Sequence, residues 1–230
     1  MSRRPRFQVT NLPIHVVQRG NDRQRCFFDD QDHRVYLKAL AEAAASHDVL
    51  VHAYALMTNH VHLLLTPRVT GAISRLMQSV GARYVWYVNE TKHRTGTLWE
   101  GRYKACLVAS DRHVLAACRY IDLNPVRARI VRHPSEFEWS SYAALAGLRA
   151  EPLVTPHESL SQLGNPRGPA YARWCAEGDQ DEEVGRLREA TQRELAYGSE
   201  QFKAYVEAMT ARATTPRRRG RPKRIPVALC

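Results

Sequence analysis

Apolar residues follow two different periodicities along the chain, and each predicts a different kind of secondary structure. Short apolar runs bounded by turn residues are typical of strands, whereas apolar residues recurring every three or four positions are typical of helices. Strands are predicted at 13–19, 49–56, 60–66 and 98–108, and helices at 29–46, 71–89 and 111–124, with Asp111 as the N-cap of the last helix. Pro125 disfavours helical geometry in the residue before it, so this helix is expected to end at Asn124.

The order of these elements is strand, helix, strand, strand, helix, strand, which is the order of a split βαβ sandwich. A Thr58-Asn59 turn separates the second and third strands, so these two are expected to pair as an antiparallel hairpin. The predicted fold class is therefore α+β, a ferredoxin-like or RRM-like sandwich with an antiparallel sheet and an extra helix. Helical patterns at 181–197 and 201–211 predict a C-terminal helical appendage. The expected domains are 1–148 for the sandwich, 149–211 for the appendage and 212–230 for a basic tail.

Composition predicts a protein of the cytoplasm. Apolar residues make up 44% of the chain, which is enough for an ordinary core, yet no run approaches the length of about 18 residues that a membrane span needs. The first residues are basic and lack the apolar stretch of a secretory signal. The five cysteines are scattered and contain no C-x-x-C pair, so they are expected to be reduced thiols.

The net charge of +11 is unevenly distributed. Residues 1–150 carry 21 basic and 12 acidic side chains, residues 151–210 carry 6 and 11, and residues 211–230 carry 7 and none. Basic surfaces at both ends of a chain are suited to a polyanionic partner, and nucleic acid is the first candidate. Many solvated protein surfaces are also basic, so the charge alone does not establish the partner.

The third predicted strand contains two histidines one residue apart. Side chains alternate between the faces of a sheet, so His60, His62 and Leu64 are expected to share one face. Imidazoles buried among leucines need a polar partner, and a divalent metal or a bound anion would provide one. A pair of hydrogen-bonded core histidines is the alternative, and the strand pattern does not decide between them.

Tyr120 and Asn124 stand four residues apart near the end of the third predicted helix, so they are expected to share one face of it. A tyrosine at such a position usually serves packing. Together with the histidine pair, however, the amide oxygen could complete a divalent metal site with open positions for phosphate oxygens. The tyrosine one turn away could then attack that phosphate.

The sequence resembles the REP-associated tyrosine transposases, members of the HUH class of single-strand DNA transposases. The class is named for a motif of histidine, hydrophobic residue and histidine. Four motifs carry the resemblance, in the order of the family and across roughly residues 10–145: Met57-Thr-Asn-His-Val-His-Leu-Leu-Leu65, Leu98-Trp-Glu-Gly-Arg-Tyr103, Arg119-Tyr-Ile-Asp-Leu-Asn-Pro-Val-Arg-Ala128 and Trp139-Ser-Ser-Tyr142. Four ordered motifs are far more specific than one His-x-His.

The resemblance implies a role for each of four residues. His60 and His62 match the metal-binding pair, Asn124 the third ligand and Tyr120 the nucleophile. The implied cofactor is Mg²⁺ or Mn²⁺, and the implied substrate is a single-stranded DNA hairpin that is cut through a 5′-phosphotyrosine and rejoined. The chain has no G-x-x-x-x-G-K-[ST] loop, in agreement with a reaction that needs no nucleotide cofactor. Such an enzyme is expected to be a monomer or a homodimer.

Basic residues near the motifs and in the tail are candidates for DNA contacts, although a solvated basic surface is the alternative for each of them. The tail centre, Arg219-Gly-Arg-Pro222, looks like an AT-hook for A·T-rich duplex, but the motif is short and a disordered basic tail is the simpler interpretation. Glu100 and His113 are lesser site candidates. The candidate DNA contacts are Arg102, Lys104, Arg119, Arg127, Arg129, Arg219 and Arg221.

Three other functions compete with the transposase hypothesis. A domesticated DNA-binding protein of the same fold would perform no chemistry, but the motif residues of the proposed site are intact. A replication initiator or relaxase with HUH chemistry would be expected to show a different motif order and a helicase region. An RRM-like RNA-binding protein would need paired aromatic residues on its central strands, and the histidine strand has none.

Overall fold

The computed structural model describes residues 6–7, 9–109, 112–178 and 180–215, so the predicted N-cap Asp111 and the tail residues Arg219 and Arg221 lie outside the described residues. The described strands are β1 (Ile14–Arg19), β2 (Val49–Met57), β3 (His60–Pro67), β4 (Lys104–Val108) and β5 (Ala196–Tyr197). The described helices are α1 (Asp30–Ser46), α2 (Ala72–Thr91), α3 (Arg112–Asp122), α4 (Asn124–Arg127), α5 (Tyr142–Leu145), α6 (Arg167–Ala176), α7 (Asp181–Arg193) and α8 (Glu200–Thr210). Among these helices, none has the length and apolar character needed to cross a membrane.

The strands form one sheet in the order β2-β3-β1-β4-β5. Neighbours among the first four strands are antiparallel, as in the predicted split βαβ order, and β5 pairs with β4 in parallel. The predicted hairpin of β2 and β3 is present. In the β1–β3 register His15 lies opposite Leu64 and Val17 lies opposite His62. Residues directly opposite each other in an antiparallel pair share a face, so His15 and His62 lie on the same side of the sheet.

Helices α1 and α2 cover one face of the sheet. Val61, Leu63 and Leu65 of β3 are fully buried in the core on this side. Leu64 is fully buried in a second core on the opposite side. The alternation predicted for the histidine strand is therefore confirmed, and it leaves His60 and His62 on the face away from α1 and α2.

The second face is covered by α3, α5, α6 and α7. A buried carboxylate joins three parts of this layer: the Ser141 hydroxyl donates to Asp122 at 2.6 Å and the Tyr171 hydroxyl donates to it at 2.7 Å. Asp122 ends α3, Ser141 belongs to the Trp139–Tyr142 motif and Tyr171 lies on α6. These bonds fix α3, and with it the predicted nucleophile, against the rest of the protein.

Two elements of residues 149–211 pack directly on the β4 side of the sandwich. β5 extends the sheet beyond β4, and α7 packs on β4 and α3. The prediction of helix over 181–197 was wrong at its end, because Glu194 adopts a left-handed conformation with φ 54° that stops α7. Residues 196–197 then pair with Leu107 and Val108 as a strand. Helix α6 was not predicted.

Two boundaries in the first part of the chain also differ from prediction. The fourth strand begins at Lys104 rather than 98, because Gly101 adopts φ 136°, and Trp99 pairs with Gly20 only as an isolated bridge. Helix α3 ends at Asp122, two residues before the predicted end. Pro125 then lies inside the separate short helix α4, at a position where a missing N–H is tolerated.

Candidate active site

A cleft of about 890 Å³ opens at the end of the sheet where β1 finishes and β3 and β4 begin. It lies on the face of the histidine pair, between the sheet, the α3–α4 segment and α7. Its polar character contrasts with the apolar cores on either side. The residues that line it include His15, His60, His62, Lys104, Tyr120, Asn124 and Arg188.

His60 and His62 enter this cleft with their rings 4.9 Å apart, centroid to centroid. His60 is half-buried and its Nδ1 lies 2.7 Å from the side-chain oxygen of Asn59. Burial, aided by the nearby Arg19, lowers the pKa of His60 to about 4. Burial also holds the pKa of His62 well below 6.5, with His60 as the next largest cause. Both imidazoles are therefore neutral near pH 7, which is the form that binds a metal ion.

A third histidine extends this pair into the protein. His15 of β1 stacks on His62, and its Nε2 lies 3.0 Å from Nδ1 of His62. On its other side, Nδ1 of His15 lies 2.9 Å from the hydroxyl oxygen of Thr191 on α7. Burial lowers the pKa of His15 to about 3. His15 was missed in the sequence, because its proximity to His62 depends on the pairing register of β1 and β3.

Tyr120 and Asn124 reach the same cleft from the α3–α4 segment. The ring of Tyr120 stands edge-on to that of His62, with 5.5 Å between the centroids, and the side chain is only 5% exposed. The amide nitrogen of Asn124 donates to the backbone carbonyl of Tyr120 at 3.0 Å. This bond fixes the amide one turn after the tyrosine and leaves the amide oxygen as the atom able to act as a ligand.

Two guanidinium groups flank the phenol. Arg127 lies over the Tyr120 ring at 4.6 Å and donates to the Tyr120 backbone carbonyl at 3.3 and 3.4 Å. Arg188 of α7 donates from Nε to the phenol oxygen at 3.4 Å. No motif pointed to Arg188, because it lies in an acidic stretch far from every motif and reaches Tyr120 through the packing of α7.

The remaining predicted DNA contacts divide into two groups. Arg102 and Lys104 line the cleft. Arg119 does not, because it is 3% exposed, stacks on Trp174 at 3.7 Å and pairs with Glu183 at 3.7 Å. One residue along a helix is a rotation of about 100°, so Arg119 points into the α6–α7 layer when Tyr120 points into the cleft.

The structure also places the other candidates. Arg129 is exposed at the end of α4, outside the cleft. Glu100 lines the cleft, as do Arg19 and Arg23, which the sequence analysis did not single out. His113 lies elsewhere, edge-on to Tyr197 with ring centroids 5.0 Å apart. The cleft thus gathers part of the predicted basic set and adds cations from β1 and α7.

The donor atoms in the cleft fit a hard or borderline divalent ion. Within the part of the chain that the structure describes, no group of three His, Cys, Asp or Glu side chains is arranged to hold a metal. A site here would rest on the imidazoles of His60 and His62 and on the amide oxygen of Asn124. Two nitrogens and one oxygen leave positions for phosphate and water oxygens, as Mg²⁺ and Mn²⁺ require.

The structure thus combines an antiparallel split βαβ sheet, a histidine pair on one strand and a tyrosine on the helix facing it, which is the arrangement that the motifs of a tyrosine transposase predict. The chain belongs to the IS200-like transposase family, whose sequence pattern it matches over residues 8–124. This match confirms the resemblance found in the motifs. No curated protein matches the chain at a significant level.

Solved structures similar to this chain include two transposase-related proteins. One is a REP-associated tyrosine transposase bound to a REP hairpin: the TM-score is 0.55 at 14% identity, over 69% of this chain and 93% of that chain. The other is the crystal structure of a protein from Deinococcus radiodurans R1 that is described as a transposase by similarity. Its TM-score is 0.37 at 21% identity, over 56% of this chain and 92% of that chain. The first similarity confirms the α+β fold with its open sheet.

Proposed function

We propose that this protein is a tyrosine transposase that binds single-stranded hairpin DNA, cuts one strand through Tyr120 and rejoins the ends. The observation that carries the proposal is the position of Tyr120, whose ring stands 5.5 Å from His62 in a cleft lined with cations. The hairpin as substrate is also supported by the similar transposase, which was solved bound to a REP hairpin. Nicking and rejoining by a covalent enzyme conserve the phosphodiester energy, so no nucleotide cofactor is needed.

The cleavage step uses the phenol oxygen of Tyr120 as the nucleophile. This oxygen forms a bond to phosphorus and gives up its proton, while the bond between phosphorus and the 3′ oxygen breaks and that oxygen gains a proton. The products are a 5′-phosphotyrosine and a free 3′-hydroxyl. Arg188, in contact with the phenol oxygen, stabilises negative charge that develops there and on the phosphate. Rejoining is the reverse attack by a 3′-hydroxyl.

His60, His62 and Asn124 are the residues that would hold Mg²⁺ or Mn²⁺. A bound ion would polarise the scissile phosphate and orient it for in-line attack. The ring of His62 stacks on the buried His15 and is bonded to it, so it cannot rotate freely. Asn124 is likewise fixed by its bond to the Tyr120 backbone. The chain therefore preorganises ligands and nucleophile together.

The cations around the cleft provide a path for the strand on both sides of the scissile bond. Arg19 and Arg23 lie by β1, Arg102 and Lys104 by β4, and Arg127 by Tyr120. Lys and Arg side chains bind phosphates without regard to sequence, so this group supplies affinity and position. Since Tyr120 and the histidines come from one chain, we propose that a single protomer is competent to cut.

The test is covalent capture of labelled DNA. The protein is incubated with single-stranded hairpins carrying single-stranded flanks and with Mn²⁺, and adducts are resolved on denaturing gels. Wild type is expected to form an adduct and Tyr120→Phe none, with hairpin binding retained because only one oxygen is removed. Tyr103→Phe is the matched control. Tyr103 lines the same cleft, but its hydroxyl oxygen is hydrogen-bonded to that of Ser74, 3.1 Å away.

Two results would contradict the proposal. An adduct that persists in Tyr120→Phe would assign the attack to another residue. Hairpin binding by wild type without any cleavage in Mg²⁺ or Mn²⁺ would favour a DNA-binding protein that has kept the fold and lost the chemistry.

A further inference from the structure

A chain of buried hydrogen bonds runs from helix α7 to the histidine pair. It begins at the backbone carbonyl of Leu187, continues through the Thr191 hydroxyl and both nitrogens of His15, and ends at Nδ1 of His62. Thr191, His15 and His62 are each less than 5% exposed. The atoms joined by these bonds are therefore paired with each other, and the proton of each bond lies between two protein atoms.

One bond sets the direction of the others in this chain. A carbonyl oxygen only accepts, so in the bond between Thr191 and Leu187, at 2.8 Å, the single hydroxyl proton of Thr191 is donated. With that proton placed, the Thr191 oxygen accepts from Nδ1 of His15, at 2.9 Å. The thiol of Cys106, 3.2 Å from the same oxygen, can donate to its remaining lone pair.

The same reasoning continues through the two rings. A neutral His15 with its proton on Nδ1 presents a bare Nε2, which accepts from Nδ1 of His62 at 3.0 Å. A neutral His62 with its proton on Nδ1 has a bare Nε2. That nitrogen is the one left to face the cleft, and an unprotonated nitrogen is what a metal ion requires.

We propose that Thr191 and His15 are positioning residues that hold His62 in the tautomer able to bind a metal ion through Nε2. The proposal rests on the proposed function only in taking His62 as a metal ligand. It assigns a role to α7, which lies outside the residues matched by the family. Helix α7 supplies Arg188 to the proposed nucleophile. Through Thr191, three residues after Arg188, the same helix would also set the tautomer of His62.

The hydrogen bonds that join Leu187, Thr191, His15 and His62 are called the relay here. Thr191→Val tests the relay, because valine has nearly the same shape as threonine and no hydroxyl. The Nδ1 proton of His15 would then be buried without an acceptor, so His15 is expected to move its proton to Nε2. Nδ1 of His62 would become the acceptor, and the His62 proton would move to Nε2, where it blocks the metal. Thr191→Ser retains the hydroxyl and is the matched control.

The experiment measures the tautomers directly and needs no DNA. In metal-free protein labelled with ¹⁵N in histidine, long-range ¹H–¹⁵N correlation spectra report which ring nitrogen carries the proton. Wild type and Thr191→Ser are expected to show His62 protonated on Nδ1, and Thr191→Val to show it protonated on Nε2. Calorimetry with Mn²⁺ alone is expected to give an affinity about 10- to 100-fold weaker for Thr191→Val than for Thr191→Ser.

The relay is overturned if His62 in wild type carries its proton on Nε2, a measurement that holds even when a variant fails to fold. It is also overturned if Thr191→Val folds, as judged by its amide spectrum, and keeps both the wild-type tautomer and the wild-type Mn²⁺ affinity. Neither readout depends on strand cleavage. Loss of the relay and loss of the proposed activity are thus separate outcomes.

Discussion

Tyr120 combines near-complete burial with a hydroxyl that faces a polar cleft. A buried phenol normally requires a hydrogen-bond partner for its oxygen. Here the partner is the guanidinium of Arg188 at 3.4 Å, which is at the long end of the hydrogen-bond range. His15 and His62 each stand edge-on to the phenol ring and restrict its rotation. The side chain is therefore restricted in orientation by aromatic contacts, and its oxygen, which we propose as the nucleophile, is in contact with Arg188.

Arg188→Gln is expected to slow cleavage at saturating hairpin DNA by about 10²-fold, the usual cost of removing one donor from a developing oxyanion. Hairpin affinity should fall much less, because only one phosphate contact is lost. Arg186→Gln is the control: it removes the same charge from the same helix, but Arg186 is exposed and pairs with Glu182 at 3.8 Å. Single-turnover rates and binding curves separate the two effects. Equal slowing in both variants would show that α7 contributes only general charge.

At the scale of elements, strand β2 and the segment at 154–155 are joined through a buried histidine. Nδ1 of His52 donates to the carbonyl of Thr155 at 2.6 Å, and Nε2 accepts from the hydroxyl of Thr66 at 2.8 Å. The Thr155 N–H also donates to the Val51 carbonyl at 2.8 Å. Both ring nitrogens are satisfied in the neutral form. Burial accordingly lowers the pKa of His52 to about 4.

This histidine makes stability depend on pH in a defined window. The unfolded chain binds a proton at His52 near pH 6.5 and the folded protein only near pH 4, so its contribution is complete above about 6.5 and is lost as the pH falls toward 4. The loss can reach about 3 kcal/mol at 1.36 kcal/mol per pKa unit. His52→Gln keeps a donor and an acceptor but does not titrate. Its free energy of unfolding should therefore decline less steeply than that of wild type between pH 6.5 and 4.

Urea denaturation of both proteins at intervals from pH 8 to pH 4 measures this difference. The values at pH 8 give the cost of the substitution itself, and the divergence below pH 6.5 gives the proton-linked part. Parallel curves over the whole range would place the acid sensitivity of the fold at other groups.

Local patterns in the sequence predicted the first three strands, the hairpin and the two helices that cover them. They did so because alternation along β3 and helical spacing along α1 and α2 depend on neighbouring residues alone. The start of β4, the strand β5 and the helix α6 were not predicted. The first two depend on one special backbone conformation or on a distant pairing partner, as with Gly101 and Glu194.

The same distinction applies to the site. Tyr120, His60, His62 and Asn124 lie in recognisable motifs, and the structure brings them into one cleft. His15, Thr191 and Arg188 have no motif, since their proximity depends on strand register and on the packing of α7. Arg119 is the opposite case. It lies beside the predicted nucleophile in the sequence, but in the structure it stacks on Trp174 and pairs with Glu183, away from the cleft.

At the scale of the whole molecule, the net charge of a sequence segment does not show where its individual cations lie in the structure. Residues 151–210 are net acidic, yet α7 turns Arg188 into the cleft. Near the end of the described chain, Arg212 donates to the carbonyl of Glu194 at 2.6 Å and stacks on Phe7 at 3.8 Å. Thr214 is buried and bonded to Glu207. Residues 212–215 thus belong to the folded body, and a deletion that spares them begins at residue 216.

Deleting residues 216–230 removes six of the basic side chains and no described contact. If about four of these neutralise phosphates, the slope of log affinity against log salt should flatten by roughly 3 to 4 units. Cleavage at saturating hairpin should stay near the wild-type rate, because this segment lies beyond every residue of the proposed site. Binding titrations at several salt concentrations and single-turnover cleavage provide the two measurements.

Three outcomes distinguish the interpretations of the tail. An unchanged salt slope would contradict a phosphate-binding role, and failed cleavage at saturation would place the tail in the chemistry. A loss of affinity confined to hairpins with A·T-rich duplex flanks would favour the AT-hook interpretation of 219–222 over a general basic tail.

The packing of α7 and β5 against the sheet also sets a lower limit on how far this protein could be shortened for use as a reagent, if the proposed strand cleavage is to be kept. A version trimmed to the four motifs would end near residue 148 and would lose both Arg188 and Thr191. It would also leave β4 as an open sheet edge, a surface prone to self-association. A shortened version that keeps the proposed site must therefore retain the chain through Thr215.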